Sequence, residues 1–289
     1  MSSVIECDKL CFRYPNTAKT APPALEQVKL TVERGELLAI IGHTGSGKST
    51  LVQQLNALLK PTQGTVFVDG KNIWENKKTV REARFLVGLC FQYPEYQLFE
   101  ETVEKDIAFG PKNMGLEADE IKRRVCRAAE LVGLDKLLLK KSPFDLSGGE
   151  KRRAAIAGVM AMEPQVIVFD EPTAGLDPRG KEHILQMLLR CRAETKRTIL
   201  LISHNMEDVA RLADRVLVMH QGKAAMHGTV EQIFARAEEL TEMGLTVPCV
   251  TRIFLALRRM GLAVPPGIFT LEQGLRELLR LAAESGCAL

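Results

Sequence analysis

The segment GHTGSGKS, residues 42–49, has the residue types and the spacing that bind a phosphate chain, G-x-x-x-x-G-K-[ST]. Its glycines let consecutive backbone N–H groups curl around phosphate oxygens, and the helix that follows adds the positive end of its dipole. In such a loop Lys48 would reach the outer phosphates and the Ser49 hydroxyl would ligate Mg²⁺. A chance glycine loop is the alternative, but the motif has the context it requires, an apolar strand before it and a helix after it. The sequence therefore predicts nucleotide binding.

Two acidic residues end the apolar run of VIVFDE, residues 166–171. An aspartate at a strand end beside a phosphate loop, here Asp170, can hold Mg²⁺ through its water shell. The next carboxylate, Glu171, points elsewhere and can polarise an attacking water molecule. Many strands end in a solvated acid, so the pattern is informative only because a phosphate loop accompanies it. Together the two motifs predict hydrolysis of a nucleotide.

The segment LSGGE, residues 146–150, has a plain interpretation and a functional one. Ser147 and Glu150 form an S-x-x-E capping box, which is typical of a helix start. That interpretation does not explain Gly148 and Gly149, each of which weakens a helix by up to about 1 kcal/mol relative to alanine. Glycines are useful there if a phosphate must approach the helix N-terminus closely. Two half-sites in one chain then suggest two chains that share nucleotides.

Strands and helices are predicted around these motifs. LLAII (37–41), VIVF (166–169) and TILLIS (198–203) are continuous apolar runs, typical of strands covered on both faces. Residues 28–33 alternate like a half-buried strand, and VLVMHQGKAAMHG has the pattern of a hairpin that turns at Gln221–Gly222.

Helices are predicted at 119–132 and 147–161, and Asp177 before Pro178 is typical of a helix N-cap followed by the first helical residue. After the phosphate loop, one helical face is expected to carry three leucines, Leu51, Leu55 and Leu58.

The chain changes character near residue 230, where helical patterns follow one another without a strand between them. One helix has its apolar residues at helical spacing, Val250, Ile253, Phe254 and Leu257. Thr270 and Gln273 form a capping box for the last helix. These patterns predict a domain boundary near residue 230.

Composition excludes several classes of protein. With 46% hydrophobic and 26% charged residues among 289, a globular core is expected. The net charge of +3 gives no reason to expect nucleic acid as the main ligand. No apolar run approaches the roughly 18 residues of a membrane span, and MSSVIECDKL lacks a signal-peptide pattern, so we expect a cytoplasmic chain. The seven cysteines are scattered, and we expect reduced, mostly buried thiols.

In chain order, GHTGSGKST, LSGGE, VIVFDEPTAGLDP and LISHN resemble the ATP-binding subunits of ABC transporters over about residues 4–228. The resemblance implies an α/β P-loop NTPase core with an inserted helical subdomain at about 93–163, and ATP and Mg²⁺ as cofactors. Residues 1–229 would form the nucleotide-binding domain. Residues 230–289 would form a small C-terminal helical domain that contacts the dimer partner, or one that folds back on its own chain.

The same resemblance implies the catalytic and metal-binding residues. Glu171 would be the general base, and His204 would be the switch histidine on the γ-phosphate. Gln92 would sense Mg²⁺ and the γ-phosphate and begin the loop that contacts the membrane partner. The metal-binding set would be Ser49, Gln92 and Asp170. For His204 the alternative is a core histidine after an apolar strand.

The nucleotide contacts implied by the resemblance fall on one aromatic, the phosphate loop, the signature turn and the inter-subunit loop: Tyr14, Gly42, His43, Thr44, Gly45, Ser46, Gly47, Lys48, Ser49, Thr50, Ser147, Gly148, Gly149 and Asp177. Tyr14 would stack on adenine, with an ordinary turn tyrosine as the alternative. His43 lies at a variable position of the loop, and its side chain is given no role.

The segment FQYPEYQLFEETVEKDIAFGP, residues 91–111, narrows the resemblance. It is similar to the ATPases of energy-coupling factor transporters, and FDLSGGEKRR is closer to the second of their two ATPase subunits. This implies a second, similar ATPase in a heterodimer or homodimer, and an integral membrane coupling subunit that docks near residues 92–101. A substrate-binding membrane protein would be reached through the complex, and no nucleic acid is expected. The chain would lie at the cytoplasmic face of the cell membrane, serving import of vitamins or, as the alternative, of cobalt or nickel.

The same segment is unusually aromatic. Aromatics around Pro94 would make a hydrophobic socket for the membrane subunit, or they would pack the core of the helical subdomain. The acidic rim of the socket would consist of Glu95, Glu100 and Glu101.

Two other classes of function are alternatives: a soluble ABC protein of DNA repair or translation, and a small-molecule kinase. Coiled-coil ABC ATPases of DNA repair insert hundreds of residues between the phosphate loop and the signature, whereas Ser147 follows Lys48 by 99 residues. ABC translation factors carry two cassettes, and this chain has one. A small-molecule kinase with the same phosphate loop would have no use for LSGGE.

Overall fold

The computed structural model describes residues 2–15, 22–265 and 267–284. The strands are β1 (Ser3–Phe12), β2 (Leu25–Glu33), β3 (Leu37–Ile41), β4 (Gln63–Val68), β5 (Lys71–Asn72), β6 (Val87–Cys90), β7 (Val166–Asp170), β8 (Thr198–Ile202), β9 (Arg215–His220) and β10 (Lys223–Thr229). The helices are α1 (Lys48–Leu55), α2 (Lys77–Leu86), α3 (Val103–Met114), α4 (Ala118–Leu131), α5 (Gly148–Met160), α6 (Pro178–Thr195), α7 (Met206–Leu212), α8 (Val230–Phe234), α9 (Ala237–Glu242), α10 (Cys249–Arg259) and α11 (Leu271–Glu284). Within the described ranges, no helix combines the length and apolarity needed to cross a bilayer.

The larger sheet carries the motifs. Its strand order is β10-β9-β3-β8-β7-β6, and all neighbours are parallel except the β9–β10 hairpin. Every residue of β3, β6, β7 and β8 is buried, because both faces of the sheet are covered. The carboxyl ends of these four strands lie at one edge, where open α/β sheets bind ligands. The predicted hairpin is confirmed, with left-handed Gln221 and Gly222 at its turn.

A smaller antiparallel sheet, in the order β2-β1-β4-β5, packs its apolar face with α1 against the larger sheet. The half-buried strand predicted at 28–33 is confirmed within β2. Strand β1 was not predicted, because its residues do not alternate regularly between apolar and polar. Its pairing with β2 has register shifts, and Lys9 has a left-handed backbone with φ of 50°. The pairing of β1 with β2 and β4 compensates for this irregularity.

Helices α3, α4 and α5 follow β6 and precede β7 in the chain, within the segment expected to form the helical subdomain. The three helices pack against one another. The helix predicted at 119–132 corresponds to α4, whose buried face carries Val125, Ala128 and Ala129. The helix predicted at 147–161 corresponds to α5, which begins at the signature turn.

The C-terminal helices have two packing partners. Helices α8 and α9 pack against β9 and β10 through Phe234 and Leu240, so this part shares its core with the larger sheet. Helices α10 and α11 form a smaller cluster around Phe254. The helix predicted from the apolar spacing of Val250, Ile253, Phe254 and Leu257 corresponds to α10, on which Phe254 is buried and Ile253 is half exposed.

One predicted helical face is also wrong in the core domain. Helix α1 ends at Leu55, because the chain turns through Ala57 with φ of 57°. Leu58 therefore leaves the buried face of Leu51 and Leu55, and it is 46% exposed.

The cysteines in the described ranges are free thiols, and half of them are buried: Cys7, Cys90 and Cys191. Cys287 lies outside the described residues.

Candidate functional site

The phosphate loop joins the end of β3 to the start of α1, as its sequence predicts. At two of its glycines, there is no room for a side chain. A Cβ at Gly42 would come within 2.3 Å of the Met219 carbonyl oxygen. A Cβ at Gly47, where φ is +102°, would come within 2.6 Å of the Ala24 carbonyl oxygen. The loop can therefore be this tight only with glycine at both positions.

Lys48 lies at the centre of the loop and is buried. Its Nζ donates hydrogen bonds to the carbonyl oxygens of Gly42, at 2.6 Å, and His43, at 3.0 Å. Burial lowers the pKa of Lys48, and the carboxylates of Glu171 and Asp170 partly oppose this. The lysine is thus held inside the loop by neutral acceptors, in reach of the position where a phosphate chain would lie. The buried Ser46 hydroxyl has no hydrogen-bond partner among the described residues.

Two predicted metal-binding residues meet at this point. The Ser49 Oγ donates to Asp170 Oδ2 at 3.0 Å. Asp170 is buried, and burial raises its pKa, although the hydrogen bond from Ser49 opposes the increase. A hydroxyl and one carboxylate, supplemented by phosphate oxygens and water, are the ligands that Mg²⁺ uses in nucleotide sites. No cluster of three or more His, Cys, Asp or Glu residues able to hold a metal occurs in the described parts of the chain.

Glu171 lies beside this pair and connects three strand ends. Its Oε1 is 2.7 Å from His204 Nε2, which follows β8. Its Oε2 accepts a long hydrogen bond, 3.5 Å, from Gln92 Nε2, which follows β6. Its backbone N–H donates to the Ile202 carbonyl at 3.1 Å, and its φ is 50°. The three residues predicted to be catalytic are therefore in contact, and the carboxylate is oriented from both sides.

Tyr14 lies beside the first turn of α1. Its hydroxyl is 3.0 Å from Thr50 Oγ1, and its ring packs edge-on against Phe12 with ring centres 4.9 Å apart. The ring is 41% exposed. An exposed aromatic next to the phosphate loop is suitably placed for a nucleobase, and stacking on adenine stays a prediction.

The signature turn is separate from this cluster. Ser147 caps α5, and its polar contacts are with Glu150, whose Oε2 accepts from the Ser147 N–H at 2.8 Å and from its Oγ at 2.6 Å. A Cβ at Gly148 would meet nothing within 4 Å, and one at Gly149 would meet only a flexible arginine tip at 3.7 Å. Both positions are exposed and neither has positive φ, so the chain itself does not require these two glycines.

Asp177 is the N-cap of α6, as predicted. Its Oδ1 accepts from the Gly180 N–H at 2.7 Å. The side chain is exposed, and a role toward a second chain stays a prediction.

The aromatic segment forms a short 3₁₀ turn at Pro94–Gln97. Tyr96 is 84% exposed and Phe99 is 59% exposed, so these two rings do not pack the core. The Asp106 carboxylate accepts hydrogen bonds from the Phe99 and Glu100 backbone N–H groups, each at 3.2 Å, and so fixes the main chain at this point. Beside the turn lies a groove of about 510 Å³, whose apolar lining includes Phe85, Phe91, Leu98, Phe99, Phe109 and Met162.

The acidic rim is wrong at one position. Glu95 turns inward, and its carboxylate pairs with the buried guanidinium of Arg152 at 2.7 Å. Arg152 could not be predicted, since no sequence pattern singles it out among the basic residues that follow the signature. Glu101 is exposed, as a rim residue would be.

The chain is similar in sequence to known ABC transporter proteins. The family model described as ABC transporter matches residues 25–174. The Caldanaerobacter subterraneus subsp. tengcongensis protein named "Energy-coupling factor transporter ATP-binding protein EcfA2" is 49% identical over 276 residues, 96% of each chain. The protein of the same name from Symbiobacterium thermophilum is 53% identical over 250 residues, 86% of each chain.

Solved structures show the same fold. CbiO1 from Clostridium perfringens, described as part of the ABC transporter complex cbiONQ, aligns with a TM-score of 0.74 and 36% identity, covering 90% of this chain and 98% of that one. The ATP-binding cassette MJ0796, in a dimer bound to ADP and phosphate, aligns with a TM-score of 0.69 and 25% identity, covering 78% and 98%.

Proposed function

The chain belongs to the energy-coupling factor group of ABC transporter ATP-binding proteins, and from this premise we propose how its residues divide the work of an ATP-hydrolysing importer subunit. Two chains would close on ATP, with each site made from the phosphate loop of one chain and the signature turn of the other. The observation that carries the proposal is the contrast between the Ser49–Asp170–Glu171 cluster, assembled within the chain, and the open glycines at 148–149.

ATP would bind with its phosphates in the loop at 42–50. Lys48 would exchange its carbonyl partners for phosphate oxygens, which are stronger acceptors for an ammonium group. Ser49 and Asp170 would hold Mg²⁺, with Gln92 contributing from the neighbouring strand end. The ion would neutralise charge on the outer phosphates. Tyr14 would cover the base.

Glu171 would act on the attacking water molecule. A carboxylate that accepts a proton must point at the water in a fixed orientation, and His204 and Gln92 hold its two oxygens. His204 would also contact the γ-phosphate. The neighbouring chain would contribute Ser147 and the backbone N–H groups of Gly148 and Gly149 as donors to the same phosphate. Asp177 would lie at the contact between the chains.

The apolar groove beside the turn at 94–97 would receive a cytoplasmic segment of an integral membrane coupling subunit. Tyr96 and Phe99 present large exposed aromatic surfaces, and such residues are enriched at the centres of interfaces. The chain would then lie as a peripheral subunit at the cytoplasmic face of the membrane, paired with a second ATPase. Its cargo would be a vitamin or another micronutrient, selected by a membrane protein elsewhere in the complex.

A capture experiment tests this proposal. Tagged Glu171→Gln chain, with ATP, is incubated with detergent-solubilised native membranes, and the recovered proteins are identified by mass spectrometry. We expect a second ATPase and an integral coupling protein, and the accompanying membrane proteins would indicate the cargo. Recovery of soluble proteins alone, or of this chain alone, would contradict the proposal.

A matched pair of variants separates docking from dimer formation. Adding Tyr96→Ser and Phe99→Ser to the captured chain is expected to remove the membrane protein and to leave the second ATPase. Leu137→Ser is the control, because Leu137 is 79% exposed on the same subdomain but belongs neither to the turn at 94–97 nor to the lining of the groove. Equal loss with both variants would show that the groove is not the docking site.

A further inference from the structure

Arg152 is a buried residue, and each of its three guanidinium nitrogens has a hydrogen-bond partner. The side chain is 3% exposed. Its Nε and Nη2 donate to the two oxygens of Glu95, at 3.0 and 2.7 Å. Its Nη1 donates to the carbonyl oxygens of Pro172, at 3.2 Å, and Ala174, at 2.8 Å. A planar fork with donors on both sides is suited to holding two segments at once.

The two segments that Arg152 holds each follow a residue of the hydrolytic cluster. Glu95 lies three residues after Gln92, in the turn that borders the docking groove. Pro172 and Ala174 belong to the loop that immediately follows Glu171. Arg152 itself lies on α5, the helix that begins at the signature turn. One guanidinium therefore bridges the docking turn, the hydrolytic loop and the signature helix.

Backbone strain shows why these segments need an external hold. Tyr93 and Glu171 have φ of 56° and 50°, a region that non-glycine residues adopt only when their surroundings enforce it. The Arg152 guanidinium lies 5.6 Å from the centre of the Tyr93 ring. A Cβ at Gly175 would be 3.4 Å from that ring, so the Tyr93 ring lies beside the loop that follows Glu171.

The contact with Arg152 favours the charged form of the Glu95 carboxyl group. Burial of Glu95 favours its neutral form, but hydrogen bonds and charge from Arg152 outweigh burial and hold its pKa below the ordinary value. A charge-assisted, two-point contact of this kind resists rotation, and so a displacement of the docking turn would move the guanidinium and the loop bonded to it.

We propose that Arg152 is a positioning residue that ties the docking turn at 94–97 to the loop following Glu171, so that the state of the docking groove sets the orientation of the general base. The inference rests on the proposed function of the groove and of Glu171. It adds a mechanical route from one to the other that does not pass through Gln92.

The first test measures ATP hydrolysis by the purified chain. Arg152→Gln is expected to lower kcat at least about tenfold, because small displacements of a catalytic group have large effects, while the KM for ATP changes less than about twofold. Glu95→Gln is expected to lower kcat in the same direction. The double variant should be no worse than Arg152→Gln alone, since both break one tie. Unchanged kcat, or effects that multiply, would overturn the inference.

A matched control separates positioning from folding. Arg124 is also a mostly buried arginine of the helical subdomain, bonded to Glu120 at 2.7 Å, Glu163 at 3.2 Å and the Met162 carbonyl at 3.1 Å. It does not touch the loop after Glu171, so Arg124→Gln is expected to lower stability without the kcat effect. If Arg152→Gln does not fold, Arg152→Lys is used. Losses of kcat that follow folded fraction equally at both sites would overturn the inference.

The second test uses the complex captured from membranes. The ratio of kcat in the complex to kcat of the free chain is expected to differ from one for the wild type, and Arg152→Gln should bring it close to one. A ratio unaffected by Arg152→Gln would overturn the tie. If the wild type recovers no membrane protein, the docking proposal fails, and the double-variant measurement on the free chain still decides whether Arg152 positions Glu171.

Discussion

The phosphate-loop edge and the signature turn differ in where their functional groups find partners. At the edge, Lys48 is bonded to loop carbonyls, Ser49 to Asp170, and Glu171 to His204 and Gln92. At the signature turn, the serine and Glu150 satisfy each other, and the two glycines face open space.

This difference shows how the chain positions the residues of the two proposed half-sites. The edge is held together by β3, β6, β7 and β8, whose carboxyl ends bring its side chains together. The turn is a helix start without side chains at residues 148 and 149, and no neighbour among the described residues requires glycine there. Substitutions should therefore act on chemistry at the edge and on assembly at the turn.

Replacing the general base should produce the largest effect. Glu171→Gln keeps the shape of the side chain but removes the proton acceptor, and we expect kcat to fall by a factor of about 10² to 10⁴. Binding of ATP should stay within about twofold, because the phosphate loop is untouched. Single-turnover hydrolysis and nucleotide binding, measured on the same preparation, check both. Normal turnover would rule out Glu171 as the base.

Filling the space at the signature turn should produce the next largest effect. Gly148→Val is expected to abolish the ATP-dependent dimer and to lower turnover at least about tenfold, because a branched side chain blocks close approach to the helix N-terminus. ATP binding by the single chain should persist. Size-exclusion chromatography with light scattering, with and without ATP in the Glu171→Gln background, measures the dimer.

Ala118→Val provides the control for this substitution. Ala118 is the first residue of α4 and is exposed in the same subdomain, so valine has the same helical context there without a proposed ligand. A dimer that survives Gly148→Val, or that both substitutions weaken equally, would contradict the contrast between the two regions.

At the phosphate-loop edge, Lys48, Ser49 and the acidic pair at 170–171 could be predicted from motifs that follow continuous apolar runs, whereas the roles of Gln92 and His204 were implied by the family resemblance. Parallel strands bring their carboxyl ends together, so motifs far apart in the chain converge without any knowledge of packing. The structure adds the contacts themselves, such as the pairing of Glu171 with both His204 and Gln92.

Other features could not be predicted because local patterns do not encode them. Arg152 pairs with a residue 57 positions away, and its neighbour Arg153 has the same chemistry, so only packing decides which one turns inward. Leu58 leaves its helical face because the chain turns at Ala57, where neither glycine nor proline marks the end of the helix. Strand β1 could not be recognised from its sequence, because its pairing with β2 is irregular.

The smallest expected effect concerns stability and pH. Burial raises the pKa of Asp170 in the folded chain. The side chain therefore contributes to the free energy of unfolding below the pKa of the unfolded chain, and this contribution is lost as pH rises through the folded pKa. Asp170→Asn keeps an oxygen acceptor for Ser49 and removes the buried charge. We expect Tm without nucleotide to rise at pH 7 by about 2–4 °C, which corresponds to about 1 kcal/mol. The gain should shrink as pH falls toward 4, and thermal unfolding monitored by circular dichroism measures it.

Glu150 at the signature turn should behave in the opposite way. Hydrogen bonds from Ser147 lower the pKa of Glu150 in the folded chain. The side chain therefore contributes to the free energy of unfolding above the pKa of the unfolded chain, and this contribution is lost as pH falls through the folded pKa. Glu150→Gln should therefore lower Tm slightly at pH 7 and leave it unchanged in acid. At pH 7 we expect Asp170→Asn to raise Tm and Glu150→Gln to lower it. That result would mean that the charge of Asp170 destabilises the fold without nucleotide, whereas the charge of Glu150 stabilises it. If both substitutions shift Tm in the same direction, the edge is not under electrostatic strain.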